Sequence, residues 1–239
     1  MKKLLFALLC APLMAFAATG VQLDKWQGSV RNTASLKNGA KLFTTYCMNC
    51  HAASFMRYQK LFDIGFTEEE MRNEGMISPD AKIGDLMMVA GRAAEQKIWF
   101  GGVAPPDLTL VVRARGEAGA PYVGSDWLYT YLRSFYRDPE RPTGWNNPAF
   151  ENVGMPHPLW ELQGQAVKDA EGNLTIKVPG SMSAAEYDKA ISDLVAFMTW
   201  MAEPQQLERQ TIGAFVLLFL VILFGFAYAL KKNYWRDVH

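Results

Sequence analysis

The longest unbroken apolar stretch lies near the end of the chain, from Ile212 to Leu230, without a charge or a proline. Its 19 residues, rising about 1.5 Å each, span about 28 Å, close to the hydrocarbon thickness of a bilayer. A helix apolar all round predicts a membrane span rather than one face of a core. Lys231, Lys232 and Arg236 follow at once, with Tyr234 and Trp235 as interface residues. The positive-inside rule puts this tail in the cytoplasm and the preceding chain on the outer face.

A second apolar run, Leu4 to Phe16, follows Met1-Lys2-Lys3 and ends in Ala15-Phe16-Ala17. Small residues at the −3 and −1 positions predict a signal peptide cleaved before Ala18; the run is short for an uncleaved anchor. Cys10 lies inside it, but Leu9 fits a lipoprotein site poorly. The expected organisation is a leader over 1–17, an exported domain over 18–205, a linker and span over 206–230, and a tail over 231–239.

Between the two runs the apolar spacing is mostly helical. Asn38 to Tyr46 predicts a short helix. Thr67 and Glu70 form a capping-box pattern opening a helix through Met71, and Asp107 is placed to cap Leu108–Arg115. Ser125 starts a helix whose Leu128, Tyr131, Leu132 and Phe135 share a face, with Pro139 as its stop. Ser183 and Glu186 repeat the capping box ahead of Tyr187, Ile191, Leu194, Val195 and Met198, and Pro204 closes that helix. Glu161–Val167 and Leu174–Val178 flank a turn-rich Asp169–Asn173 and predict a small hairpin. The domain is therefore mainly α, with long irregular loops that need something to order them. A large buried cofactor would do so.

Composition narrows the picture. Half the residues are hydrophobic and one fifth are charged, which excludes general disorder. Loss of the leader leaves 22 basic against 24 acidic residues, so no basic surplus points to nucleic acid. It also leaves only Cys47 and Cys50, too few for a disulfide framework.

Those two cysteines carry the chemistry. Cys47-Met48-Asn49-Cys50-His51 is a C-x-x-C-H sequence, in which both thiols add to haem vinyl groups and the histidine binds iron. A redox dithiol would want a strand–helix setting and leave His51 idle. A zinc site would need two further ligands, and only His157 and His239 remain. For the sixth iron position, Met155 stands out in Val153-Gly154-Met155-Pro156-His157-Pro158. Glycine admits a flat cofactor and proline fixes the loop. His157 is the rival ligand; held between prolines, it is expected to face solvent or to pair locally. Arg113 and Arg115, after Ala104-Pro105-Pro106-Asp107-Leu108, are candidates to neutralise haem propionates.

Together these pieces resemble cytochrome c1, the haem subunit of bacterial ubiquinol–cytochrome c reductase, over nearly the whole mature chain. The resemblance rests on Cys47–His51 with Tyr58 and Leu61; on Ala104–Leu108 with Arg113-Ala114-Arg115; and on Met155-Pro156. It continues through Trp200-Met201-Ala202-Glu203-Pro204, Arg209, Gly213 and the terminal span. It implies one covalent haem c on Cys47 and Cys50, axial ligands His51 and Met155, and a propionate partner in Arg115. It also implies a class I cytochrome core with long insertions, and electron flow from the Rieske iron–sulfur protein to cytochrome c. Cytochrome b is then a further partner, within a dimeric complex, and the leader suggests a periplasmic haem domain on a bacterial inner membrane. Two departures stand out: the chain lacks cysteines for the extra disulfide of some members, and Trp99-Phe100-Gly101-Gly102 replaces an asparagine-bearing loop.

Two strong protein ligands would close the iron to dioxygen and peroxide, which favours a carrier over an enzyme in its own right. The rival readings are a haem enzyme with an open sixth position, a cytochrome subunit of another respiratory complex, and a membrane-anchored scaffold without redox chemistry. The acidic run Glu68-Glu69-Glu70, with Glu74, either steers a basic partner or is an ordinary solvated helix face.

Overall fold

A computed structural model describes residues 22–89, 93–100, 102–116 and 123–238. The leader over 1–17, with Cys10, lies outside these, as do Gly101 and His239.

Helix α1, Thr33–Leu42, starts earlier than the spacing predicts because Asn32 caps it, its side chain accepting the Ser35 N–H. It continues as a π-helical turn, Phe43–Cys47. Strand β1, Ala53–Arg57, and a 3₁₀ segment, Tyr58–Ile64, precede α2, Glu68–Asn73, which Thr67 caps as expected. β2, Leu86–Met87, pairs antiparallel with β1. α3, Ala93–Trp99, and α4, Val111–Arg115, follow. The last begins three residues later than predicted. Asp107 does not cap it but binds Ser54 and Thr109 instead.

α5, Gly124–Arg133, ends before Phe135, yet all four residues of its expected apolar face are buried. β3, Tyr136–Arg137, and β4, Trp145–Asn146, form a short antiparallel pair. The hairpin is smaller than expected at its first strand. Glu161 to Gln163 belong to a helical turn, α6, Trp160–Gln163, and β5 spans Gly164–Lys168 against β6, Leu174–Pro179. Gly164 makes the switch at φ +95°, where a Cβ would lie 2.2 Å from the Val178 carbonyl oxygen.

α7, Ala184–Ala202, has both halves of its capping box and buries the whole predicted stripe. α1 crosses it so closely that a Cβ on Gly39 would sit 2.1 Å from the Asp193 carbonyl oxygen. Phe43 and Phe197 fill the crossing, their rings 5.5 Å apart. An N-terminal arm is fastened across α5 and α7: the Trp26 indole N–H reaches Ser192 and its backbone N–H reaches Asp126. The structure is thus mostly helical around one core. α8, Gln206–Tyr234, leaves that core as one continuous helix of 29 residues with none buried. It is long and apolar enough to cross a membrane.

Candidate haem site

The C-x-x-C-H segment is wound tightly by its own backbone. The π turn ends with Met48 N–H bonded to the Phe43 carbonyl; the Cys47 carbonyl then accepts from both Cys50 and His51. Both thiols are thereby held on one turn, half-buried, with His51 directly after them. Burial and the neighbouring Cys50 push the Cys47 thiol up to about 12. A redox-active dithiol needs the opposite, a thiolate stabilised near neutrality.

His51 is buried, and its Nδ1 lies 2.7 Å from the carbonyl oxygen of Pro106. A carbonyl only accepts, so Nδ1 carries the proton and the Nε2 lone pair is left for a metal. Burial pulls the imidazole below its ordinary value, against the opposing pull of Pro106 and Asp107, and favours the neutral, electron-donating ring. Pro106 is itself fixed. Leu108 N–H bonds the Ala52 carbonyl, and Asp107 accepts from the backbone and hydroxyl of Ser54 and from Thr109 N–H. Gln96 adds a bond from its amide to the Cys50 carbonyl.

Met155 packs, like Cys47, from the rim against the central hydrophobic cluster. The hydroxyl of buried Tyr131 donates toward its sulfur at 3.9 Å. The loop bearing Met155 is held from upstream by Asn152, at φ +61°, whose N–H bonds the Asn146 side chain. Arg141 donates to both the side chain and the carbonyl of Asn152. Downstream, His157 does not face solvent. It is 2% exposed, and it pairs locally with Gln163.

Arg115 is half-buried, its guanidinium carbon 4.1 Å from the Trp127 ring centre and 5.2 Å from that of Phe150. It makes no ion pair among the described residues. Arg113, the other candidate, is exposed and paired with Glu203 at 2.9 Å. The acidic run is largely neutralised at home: Lys37 pairs with Glu70, Lys41 with Glu74, and Arg72 with Glu68. It joins α2 to α1 more than it offers a free charge.

A neutral imidazole with its Nε2 lone pair available, two thiols on one turn, a thioether and a guanidinium with no ion pair among the described residues suit an iron porphyrin with anionic propionates. Sequence reasoning overlooked Pro106 as the partner of His51, and Asn146, Asn152 and Gln163 around the methionine loop. The only signals were Trp145-Asn146-Asn147-Pro148, a polar cluster among turn formers, and the double proline.

The profile of the Cytochrome C1 family matches residues 24–238. The chain belongs to the cytochrome c1 family. It is 45% identical over 254 residues to cytochrome c1 of Allochromatium vinosum, covering 100% of both chains. It is equally 45% identical, over 240 residues, to a Nitrosomonas europaea protein named ammonia monooxygenase gamma subunit, covering 100% of this chain and 98% of that one. A cytochrome b/c1 of Bradyrhizobium diazoefficiens matches 86% of this chain at 27% identity, over 33% of its own length. The protein is thus an electron-transfer haem subunit with haem c as its cofactor, and its terminal helix fits a membrane anchor.

Proposed function

We propose that this chain carries single electrons in a ubiquinol–cytochrome c reductase, taking them from the Rieske iron–sulfur protein and passing them to cytochrome c. The observation that carries the reading is the Nδ1–H bond of His51 to Pro106, which frees Nε2 on the residue directly after the two thiols. Bound haem supplies a one-electron iron couple. Cys47 and Cys50 would hold it through thioethers, His51 and Met155 would supply the two protein ligands of its iron, and Arg115 would meet a propionate. With both positions taken by protein the chain transfers electrons without bond chemistry of its own. The α1–α7 crossing supports a class I cytochrome core with long loop insertions.

In this reading residues 1–17 are a cleaved leader, 18–205 the periplasmic haem domain, 206–230 the linker and inner-membrane span, and 231–239 the cytoplasmic tail. Lys231, Lys232 and Arg236 support that orientation. The match to a joint cytochrome b/c1 supports cytochrome b as a partner, and the complex they form is read as dimeric. The purified complex should reduce cytochrome c with quinol as donor, with this chain's haem reduced on the way. The equal similarity to the Nitrosomonas protein supports a second reading, an electron carrier attached to a monooxygenase. Co-purification with a cytochrome b and a Rieske protein favours the first reading; co-purification with an oxygenase favours the second.

A further inference from the structure

His157 occupies a site built for a neutral imidazole. Its ring lies parallel to Phe135, 4.8 Å between centroids and 3° between planes, and edge-on to Trp145 at 5.2 Å. Nε2 is 2.7 Å from Gln163 Oε1, while Nδ1 receives the Leu159 N–H at 3.4 Å. An N–H only donates, so Nδ1 is the acceptor and Nε2 carries the proton. Gln163 is fixed in turn, its amide donating to the Arg133 carbonyl at 2.8 Å. Every polar atom of the ring is therefore satisfied in a nearly dry setting, where losing a partner is costly.

This anchor is two residues beyond Met155, with Pro156 between and Pro158 after. Prolines fix the backbone on both sides of His157, so a shift of the ring is transmitted to the methionine rather than absorbed by the loop. On the other side of Met155, Asn152 is pinned by Asn146 and Arg141. Gly154, one residue before Met155, has nothing within 4 Å of a would-be Cβ. The strap is thus tied on both sides of Met155.

The geometry points to His157 as a positioning residue for the Met155 thioether, acting through its bonds to Gln163 and Leu159 and its stack on Phe135, and not as an iron ligand. This rests on the reading of Met155 as the axial ligand. A thioether is a weak ligand for ferric iron, so a strap held in place keeps it bound where a loose strap would let it go.

The test uses the full-length haem-loaded chain in detergent. His157→Phe keeps a flat ring on Phe135 and removes both nitrogens; Gln163→Met leaves His157 and removes its Nε2 partner. At a temperature well below melting, both should weaken the near-infrared thioether-to-iron band of the oxidised protein. Both should raise the rate of carbon monoxide binding to the reduced protein, by roughly tenfold for His157→Phe and less for Gln163→Met. Met155→Leu is the control for the underlying reading. If it keeps the band and excludes carbon monoxide, Met155 is not the ligand and the positioning role falls with it. If it loses the band while both strap variants keep wild-type band and rate, the ligand stands and the positioning role alone is overturned. Should His157→Phe fail to accumulate, a wild-type band and rate in Gln163→Met are sufficient to overturn it.

Discussion

The guanidinium of Arg115 is stacked 4.1 Å from the ring of Trp127, while Arg113, two residues before, turns outward to Glu203. The ring holds the cation in place without neutralising it, and no carboxylate among the described residues pairs with it, which suits it to an anion. Arg115→Gln should lower the reduction potential by something on the order of 50 mV, since a positive charge near the iron favours the reduced state. Arg113→Gln breaks only an exposed pair and should shift it far less. Redox titration of the two variants decides; equal shifts would sink the distinction.

Haem held through Cys47 and Cys50 should stay with the denatured polypeptide, because thioethers survive unfolding. Haem staining after denaturing electrophoresis should show the band, Cys47→Ala should weaken it and the double Cys47→Ala, Cys50→Ala change should abolish it. A wild-type band without stain would contradict the attachment. Since haem stabilises only the folded state, the double variant should also melt earlier or fail to accumulate.

Gly39 tests the fold. Its place against the Asp193 carbonyl leaves no room for a methyl group, so Gly39→Ala must push α1 away from α7. Overpacking of this kind costs about 1–3 kcal/mol. Thermal melting should report it as a clear drop, and unchanged melting would show that the crossing yields.

What the sequence disclosed about this crossing, and what it hid, follows from the range of the forces. α7 was legible because its capping box and its apolar spacing are local and agree. C-x-x-C-H was legible for the same reason. Gly39 was not, because nothing near it in sequence announces a carbonyl 154 positions away. Asp107 looked like a helix cap, but Ser54 offers two donors and outcompetes that use. His51 and His157 are both buried imidazoles, separated by which nitrogen finds a carbonyl or an amide. That depends on Pro106 and Gln163, contacts which spacing does not encode.

Cutting the chain after Gln205 should release a soluble domain with an unchanged haem spectrum. α8 buries no residue, and every candidate haem contact lies upstream of it. The cut loses the Arg209–Glu203 pair, in which the arginine is largely exposed, and Glu203 keeps its pair with Arg113, so the loss is small. Fractionation of the cut protein checks this; persistence in the membrane fraction would mean a second anchor, with residues 1–17 as the suspect.

Met155→Leu separates carrier from enzyme. The change nearly conserves volume, so the domain should fold and keep its haem while the sixth position opens. The near-infrared thioether band should vanish, the reduced protein should bind carbon monoxide, and the potential should fall because a thioether favours ferrous iron. Reduction by the Rieske partner would then run uphill and quinol oxidation should slow. Tyr131 adds a signature that belongs to this site alone. Its hydroxyl, buried and donating to the Met155 sulfur, loses its acceptor when leucine arrives. An unsatisfied buried hydroxyl costs about 1–3 kcal/mol, so Met155→Leu should melt lower than its volume suggests. The Tyr131→Phe, Met155→Leu double variant removes both partners and should recover part of that loss, although the sixth position stays open. Melting of the two single variants and the double variant gives the coupling between them directly. Strict additivity would show that the hydroxyl and the sulfur do not interact, whereas positive recovery without return of the near-infrared band would fix Met155 as both ligand and acceptor.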